Sequence, residues 1–218
     1  PKRNYYALDL SLTHVWDGKW FGKIDYVFSK LYGNDDGPVG PMYESSGTVA
    51  YLTAVWAYPR IMDNSNGTLD TDRTHSLKIY GAYAINPDWI VGANIWIASG
   101  TPRMCRGAYG PDQEFPYGIS SQYHFCGGVP IAPGDPVPPY GAKHTPWIHN
   151  VNLSVDYKPG WADHKLDFKF QVFNVFNNQT PTFYGNYFVT TGSPGTSYNM
   201  IEARMPPRSG QISVAYNW

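Results

Sequence analysis

From Arg208 to Trp218 the chain alternates strictly, residue by residue, to its end. Gly210, Ile212, Val214, Tyr216 and Trp218 fall on one face, and Ser209, Gln211, Ser213, Ala215 and Asn217 on the other. A period of two marks a β-strand with unlike faces. Chain ends ordinarily fray into polar residues, so a strand that keeps its apolar face up to a final Trp needs something apolar against that face.

The same rhythm recurs upstream. Tyr5 to Val15 puts Tyr6, Leu8, Leu10 and Leu12 opposite Asp9, Ser11 and Thr13. Trp20 to Tyr32 puts Ile24, Tyr26 and Phe28 opposite Lys23, Asp25 and Ser29. Ser76 to Ile85, Trp89 to Ser99, Ile148 to Tyr157 and Lys165 to Phe176 repeat it, with Trp96 out of place on a polar face. With the terminal segment this predicts about seven strands, each close to the roughly 9–11 residues that a tilted strand needs to cross a bilayer.

The connections alternate in length. Asp17–Lys19, Asn86–Asp88 and Lys158–His164 are short, whereas 33–75, 100–146 and 177–207 are long. Loops above about 15 residues are uncommon in compact soluble domains. Tight turns at one end and long loops at the other are what a membrane barrel shows. The reading is therefore all-β, an antiparallel transmembrane β-barrel fragment with long extracellular loops, its short turns and C-terminus in the periplasm. A soluble sandwich is the opposing reading of the fold, and the loop lengths weigh against it; its counterpart in function is a secreted, soluble, aromatic-rich binding module.

Composition agrees. Charged residues are 15% of the chain, against about a quarter in typical domains. Aromatics reach 17%, and the net charge of −1 offers nothing to nucleic acid. Mean hydropathy is −0.40, and the longest apolar stretch, Val49 to Tyr58, is too short for a spanning helix. Barrel strands need only every second residue to be apolar, so low hydropathy does not speak against them.

In lipid each exposed Lys or Arg near the midplane costs roughly 2–4 kcal/mol. Asp9, Lys23, Asp25, Lys78, Asp156, Asp167 and Lys169 all lie opposite the aliphatic set and are expected to face a wet lumen. Trp16, Trp20, Trp89, Tyr157 and Trp161 collect at the short-turn end, where a periplasmic aromatic girdle belongs. Open edges are not tolerated in lipid, and single-chain bacterial barrels have even strand counts. The chain opens on Pro1-Lys2-Arg3 directly into a strand-like run and reads as a piece of something longer.

Three stretches resemble a known family. Thr71-Asp72-Arg73-Thr74-His75-Ser76-Leu77-Lys78-Ile79-Tyr80-Gly81 is similar to a strand-start motif, Ala98-Ser99-Gly100-Thr101-Pro102 to a strand exit, and Val172-Phe173-Asn174-Val175-Phe176-Asn177 to another. With the aromatic terminal strand, their order resembles the C-terminal part of a TonB-dependent outer-membrane receptor. The branch it is most similar to is that of the Oar-like receptors, which carry a carboxypeptidase-regulatory-like domain. The resemblance implies about seven C-terminal strands of a barrel of about 22, filled by a plug. It implies that Gly210, Ile212, Val214, Tyr216 and Trp218 are the signal read by the barrel-assembly machinery. It also implies coupling to the TonB complex through a part not included in these residues, and import of an unspecified ligand. A plugless porin or adhesin barrel is the alternative.

No chemistry stands out. The six histidines show no H-x-x-H or H-E-x-x-H spacing, and His124 near Cys126 is the nearest thing to a metal pair. The acidic run Asp63 to Asp72 fails EF-hand spacing, because Gly67 as position six would put Met62 at position one. Asp72-Arg73 reads as a strand cap made by local pairing. No catalytic arrangement, metal or cofactor is expected. Cys105 and Cys126 lie in one Gly/Pro-rich stretch and are expected to form a disulfide in an oxidising compartment, two free thiols being the alternative.

Overall fold

The computed structural model describes residues 2–34, 59–117, 123–137, 143–188 and 197–217. The Val49–Tyr58 stretch and Trp218 lie outside the described residues. Seven long strands follow one another in a single antiparallel sheet: β1 (Arg3–His14), β2 (Trp20–Gly33), β3 (His75–Asn86), β4 (Trp89–Ala98), β5 (Ile148–Tyr157), β6 (Leu166–Phe173) and β7 (Ser209–Tyr216). Each pairs with its sequence neighbour and none crosses over. The two-residue strand Gly67–Thr68 pairs with the far end of β2. β1 and β7 have open outer edges among the described residues, so the sheet is an unclosed stretch of barrel wall.

The register sorts side chains as the alternation predicts. Leu12 pairs with Ile24, Ile24 with Ile79, Ile79 with Ile95, and Ile95 with Val151. Val155 continues to Phe170, and Phe170 to Ile212. The other face carries Ser11, Asp25, Lys78 and Trp96 in one row, and Asp156 beside Lys169. Trp96 fits this polar face because its indole Nε1 donates to Ser76 Oγ at 3.2 Å and the Arg73 guanidinium lies 5.7 Å from its ring.

Among the described residues nothing covers the apolar face. Leu8, Leu12, Ile212 and Val214 are 56–76% exposed. Within the long strands the buried hydrophobic residues are Leu31, Ala98 and Ile148, all at the long-loop end. The rest of the buried core lies in the loops. Cys105, Cys126, Ile131, Val137 and Tyr198 form one cluster, and Ile61, Tyr123 and Phe125 another.

The short turns are built by side-chain caps. Asp17 Oδ1 accepts from the backbone N–H of Lys19 (2.8 Å) and Trp20 (2.9 Å), beside Gly18 at φ +92°. These bonds, from Trp20 first and then Lys19, hold the Asp17 carboxyl below its usual range. Asn86 Oδ1 does the same for Asp88 and Trp89. The strand predicted to run to Phe176 stops at Phe173, because Asn174 turns left-handed at φ 50°.

Candidate functional site

The long loops meet at one end of the sheet and interlock. Gly67–Thr68 hydrogen-bonds across to Pro133, whose carbonyl accepts from the Thr68 N–H at 2.9 Å. Arg106–Gly107 pairs in parallel with Tyr187–Phe188, and Pro181–Tyr184 pairs with Ile201–Arg204. The Cys105–Cys126 disulfide sits in the first hydrophobic cluster, which Phe188 flanks and to which Tyr198 belongs. Burial pushes the Tyr198 hydroxyl up to about 12. The three loops therefore make one cap.

The motif residues tie this cap to the strands. Asp72, 2% exposed, accepts from the Leu31 N–H at 2.6 Å through Oδ1 and from Thr74 Oγ1 at 3.2 Å through Oδ2. Asp72 thus caps the end of β2 rather than pairing with Arg73, as the sequence reading expected. Arg73 instead donates from Nη1 to the Ser99 carbonyl at 2.7 Å. The Ser99 hydroxyl accepts from the His75 N–H at 3.0 Å. A Cβ on Gly100 would lie 1.7 Å from the Thr145 carbonyl oxygen, so only glycine lets these two exits close together. Asn174 closes the third exit: its N–H donates to Asn152 Oδ1, and its Nδ2 donates to the carbonyls of Asn178 and Pro206.

Above these exits lies a cleft of about 620 Å³, shared by all three loops. That volume is within the range of small-molecule sites, about 300–1,000 Å³. Arg103 stacks over the Tyr184 ring at 4.0 Å and donates from Nη2 to Asn199 Oδ1. Arg73 is partly buried, and desolvation lowers its affinity for a proton. Met104 and Phe183 pack together and give the cleft an apolar side. Glu202 projects from the Ile201–Arg204 strand into the same space.

The seven charged residues predicted to share a face do so, and several are paired. Lys23 lies 3.0 Å from Asp25, whose Oδ1 also accepts from Ser11 Oγ at 2.6 Å. Lys169 lies 3.2 Å from Asp156, and Lys158 3.5 Å from Asp167. Asp9 and Lys78 sit on that face by register. The predicted girdle residues gather at the short-turn end. Trp89 stacks on Tyr157 at 4.4 Å and Trp20 on His14 at 3.6 Å, while Trp16 and Trp161 stand exposed beside the turns. Gly210, Ile212, Val214 and Tyr216 share the apolar face of β7. No cluster of metal-ligating side chains occurs among the described residues. The sequence reading missed the cleft: Arg103, Tyr184 and Glu202 are far apart in the chain and carry no shared motif.

No family model matches the chain. Among curated proteins it is similar to the TonB-dependent transporter Oar of Myxococcus xanthus, 29% identical over 189 residues, covering 82% of this chain and 16% of that protein. The chain thus spans 16% of its curated relative's length. Among solved structures it superimposes on the outer membrane transporter YddB from Escherichia coli with a TM-score of 0.58 at 10% identity, covering 98% of this chain and 25% of the other. The siderophore receptor PiuA from Acinetobacter baumannii gives 0.52 at 14% identity, covering 97% and 21%. In sequence and in fold the chain is similar to a stretch of a TonB-dependent outer-membrane receptor.

Proposed function

We propose, taking the chain as the stretch of TonB-dependent receptor that it resembles, that it forms part of the barrel wall, the lumen lining and the outer cap of an energised outer-membrane transporter. One observation carries the reading: the mid-strand aliphatic row from Leu12 through Ile24, Ile79, Ile95 and Val151, continued by Val155, Phe170 and Ile212, lies on a face that no described residue covers, while the buried core sits in the loops. Lipid is the solvent that makes such a face stable. The charged side chains on the opposite face then meet a water-filled lumen. The remaining strands and a plug come from outside these residues, as does the segment that contacts the TonB complex. Ligand docks at the cap, TonB acts on the plug, and a path opens along the polar face. The short turns and the C-terminus lie in the periplasm, and the terminal apolar face serves as the signal for the barrel-assembly machinery.

Single-cysteine labelling of the full polypeptide in cells tests the orientation. Val129 is 63% exposed in the cap and Trp161 is 74% exposed at a short turn. A Val129→Cys thiol reacts with an impermeant maleimide on intact cells, and a Trp161→Cys thiol reacts only after the outer membrane is permeabilised. Labelling of both on intact cells, or recovery of the protein without detergent, rejects the barrel placement.

A further inference from the structure

Four charged side chains line the cap cleft: Asp70, Arg73, Arg103 and Glu202. Arg73 is engaged by a backbone carbonyl and faces the Trp96 ring, and Arg103 by an asparagine oxygen and the Tyr184 ring. Neither guanidinium forms an ion pair among the described residues, and neither does Glu202. Asp70, also in the wall, is buried and already engaged. A partly desolvated cation with only neutral partners gains from an incoming anion. The cleft presents a second unmet demand. Asn186 is 3% exposed and lines it, and its Nδ2 has no hydrogen-bond partner among the described residues. Buried amide donors are seldom left so. Two unneutralised cations, one unneutralised carboxylate and an orphan amide donor thus share one space with an apolar wall of Phe183 and Met104.

We propose that this cleft binds a zwitterionic, peptide-like ligand. Its carboxylate meets Arg73 and Arg103, its ammonium meets Glu202, a backbone carbonyl accepts from Asn186, and an apolar side chain lies on Phe183. A simple anion would leave Glu202 unanswered and close to its own charge. A neutral apolar ligand would bury both guanidiniums without compensation. The inference rests on the transporter reading above and adds the ligand class.

The test is a chemical cycle on the full receptor in detergent. The probe is the tripeptide Ala-Phe-Ala in three forms: both ends free, C-terminally amidated, and N-terminally acetylated. Calorimetry is expected to show the free form binding about tenfold or more tighter than either blocked form, as a charge-assisted hydrogen bond is worth about 1.5–3 kcal/mol. Arg103→Gln should erase the discrimination against the amide and leave that against the acetylated form. Glu202→Gln should do the reverse. This crossed pattern is one that loss of folding cannot produce, and circular-dichroism melts check each variant. Equal binding of all three forms, no binding, or a variant that erases both discriminations overturns the proposal. Uptake of the free tripeptide by cells with and without an active TonB complex separates the two readings. Crossed binding without TonB-dependent uptake sinks the transporter reading and leaves the site standing. A receptor that cross-links to TonB but binds no peptide sinks the ligand class alone.

Discussion

Asn174 shows how much one residue at a strand exit has to do. Its backbone is left-handed at φ 50°, which asparagine tolerates better than other side-chain-bearing residues. Its side chain donates at 2.9 and 2.8 Å to Asn178 and Pro206 and accepts at 2.9 Å from the Asn178 N–H. Asn174→Ala is expected to cost about 2–4 kcal/mol, from lost bonds and a strained backbone. It should appear as faster amide exchange across 175–188 and 197–208, with β6 unaffected. Asn174→Gly should recover only the backbone part. His124 makes a second prediction. It is 5% exposed, and burial first, then Arg106, holds its pKa well below 6.5. Above 6.5 both folded and unfolded cap carry a neutral ring. Below it the unfolded cap binds a proton that the folded one refuses, so cap stability falls as pH drops, until the depressed folded value is reached. His144 shifts in the same direction, through burial and then Lys30. Cap amide protection should therefore decrease from pH 7.5 to 5.5, and His124→Phe should remove the larger part of that slope. The motif residues were legible as residues, but their partners were not. Nothing local says that the Asp72 carboxylate reaches the end of β2 instead of its neighbour Arg73.

At the level of elements, the strands were readable and the cap was not, for one physical reason. A strand between two unlike solvents repeats every second residue, so its faces are written in the sequence. The cap elements are two to four residues long and pair across wide separations, as Arg106–Gly107 does with Tyr187–Phe188. No period can form in so short a run. The disulfide was the exception, because two cysteines in one loop limit each other's choices. It closes a separation of 21 residues and belongs to the cluster shared with the last loop. Replacing Cys105 and Cys126 together by Ser is expected to destabilise the cap by about 3 kcal/mol. The barrel strands should keep their exchange protection, since the cluster that holds the disulfide includes no residue of the seven long strands. A loss of strand protection would mean that cap and wall unfold as one unit.

The whole molecule is an inversion of a soluble domain. Among the described residues, aliphatic side chains lie uncovered along one face of the strands, charges pair on the other face, and the buried core lies in the loops. This predicts opposite responses to one substitution chemistry. Ile79→Arg, in the middle of β3 on the apolar face, should destabilise the full barrel by roughly 2–4 kcal/mol in lipid. Gln171→Arg, on the face of Asp156 and Lys169, should change stability by less than about 1 kcal/mol. Denaturant unfolding in vesicles measures both, and equal losses would contradict the assignment of faces. The interlocking of the cap has a consequence for engineering. The Gly67–Thr68 strand leans on Pro133, Arg106 on the Asn186–Phe188 segment, and Arg103 on Asn199. A single loop transplanted from another protein of this fold would arrive without its contacts. The graftable module in this architecture is the three loops moved together, cut at Asp72, Gly100 and Asn174, where the strands hand over to them.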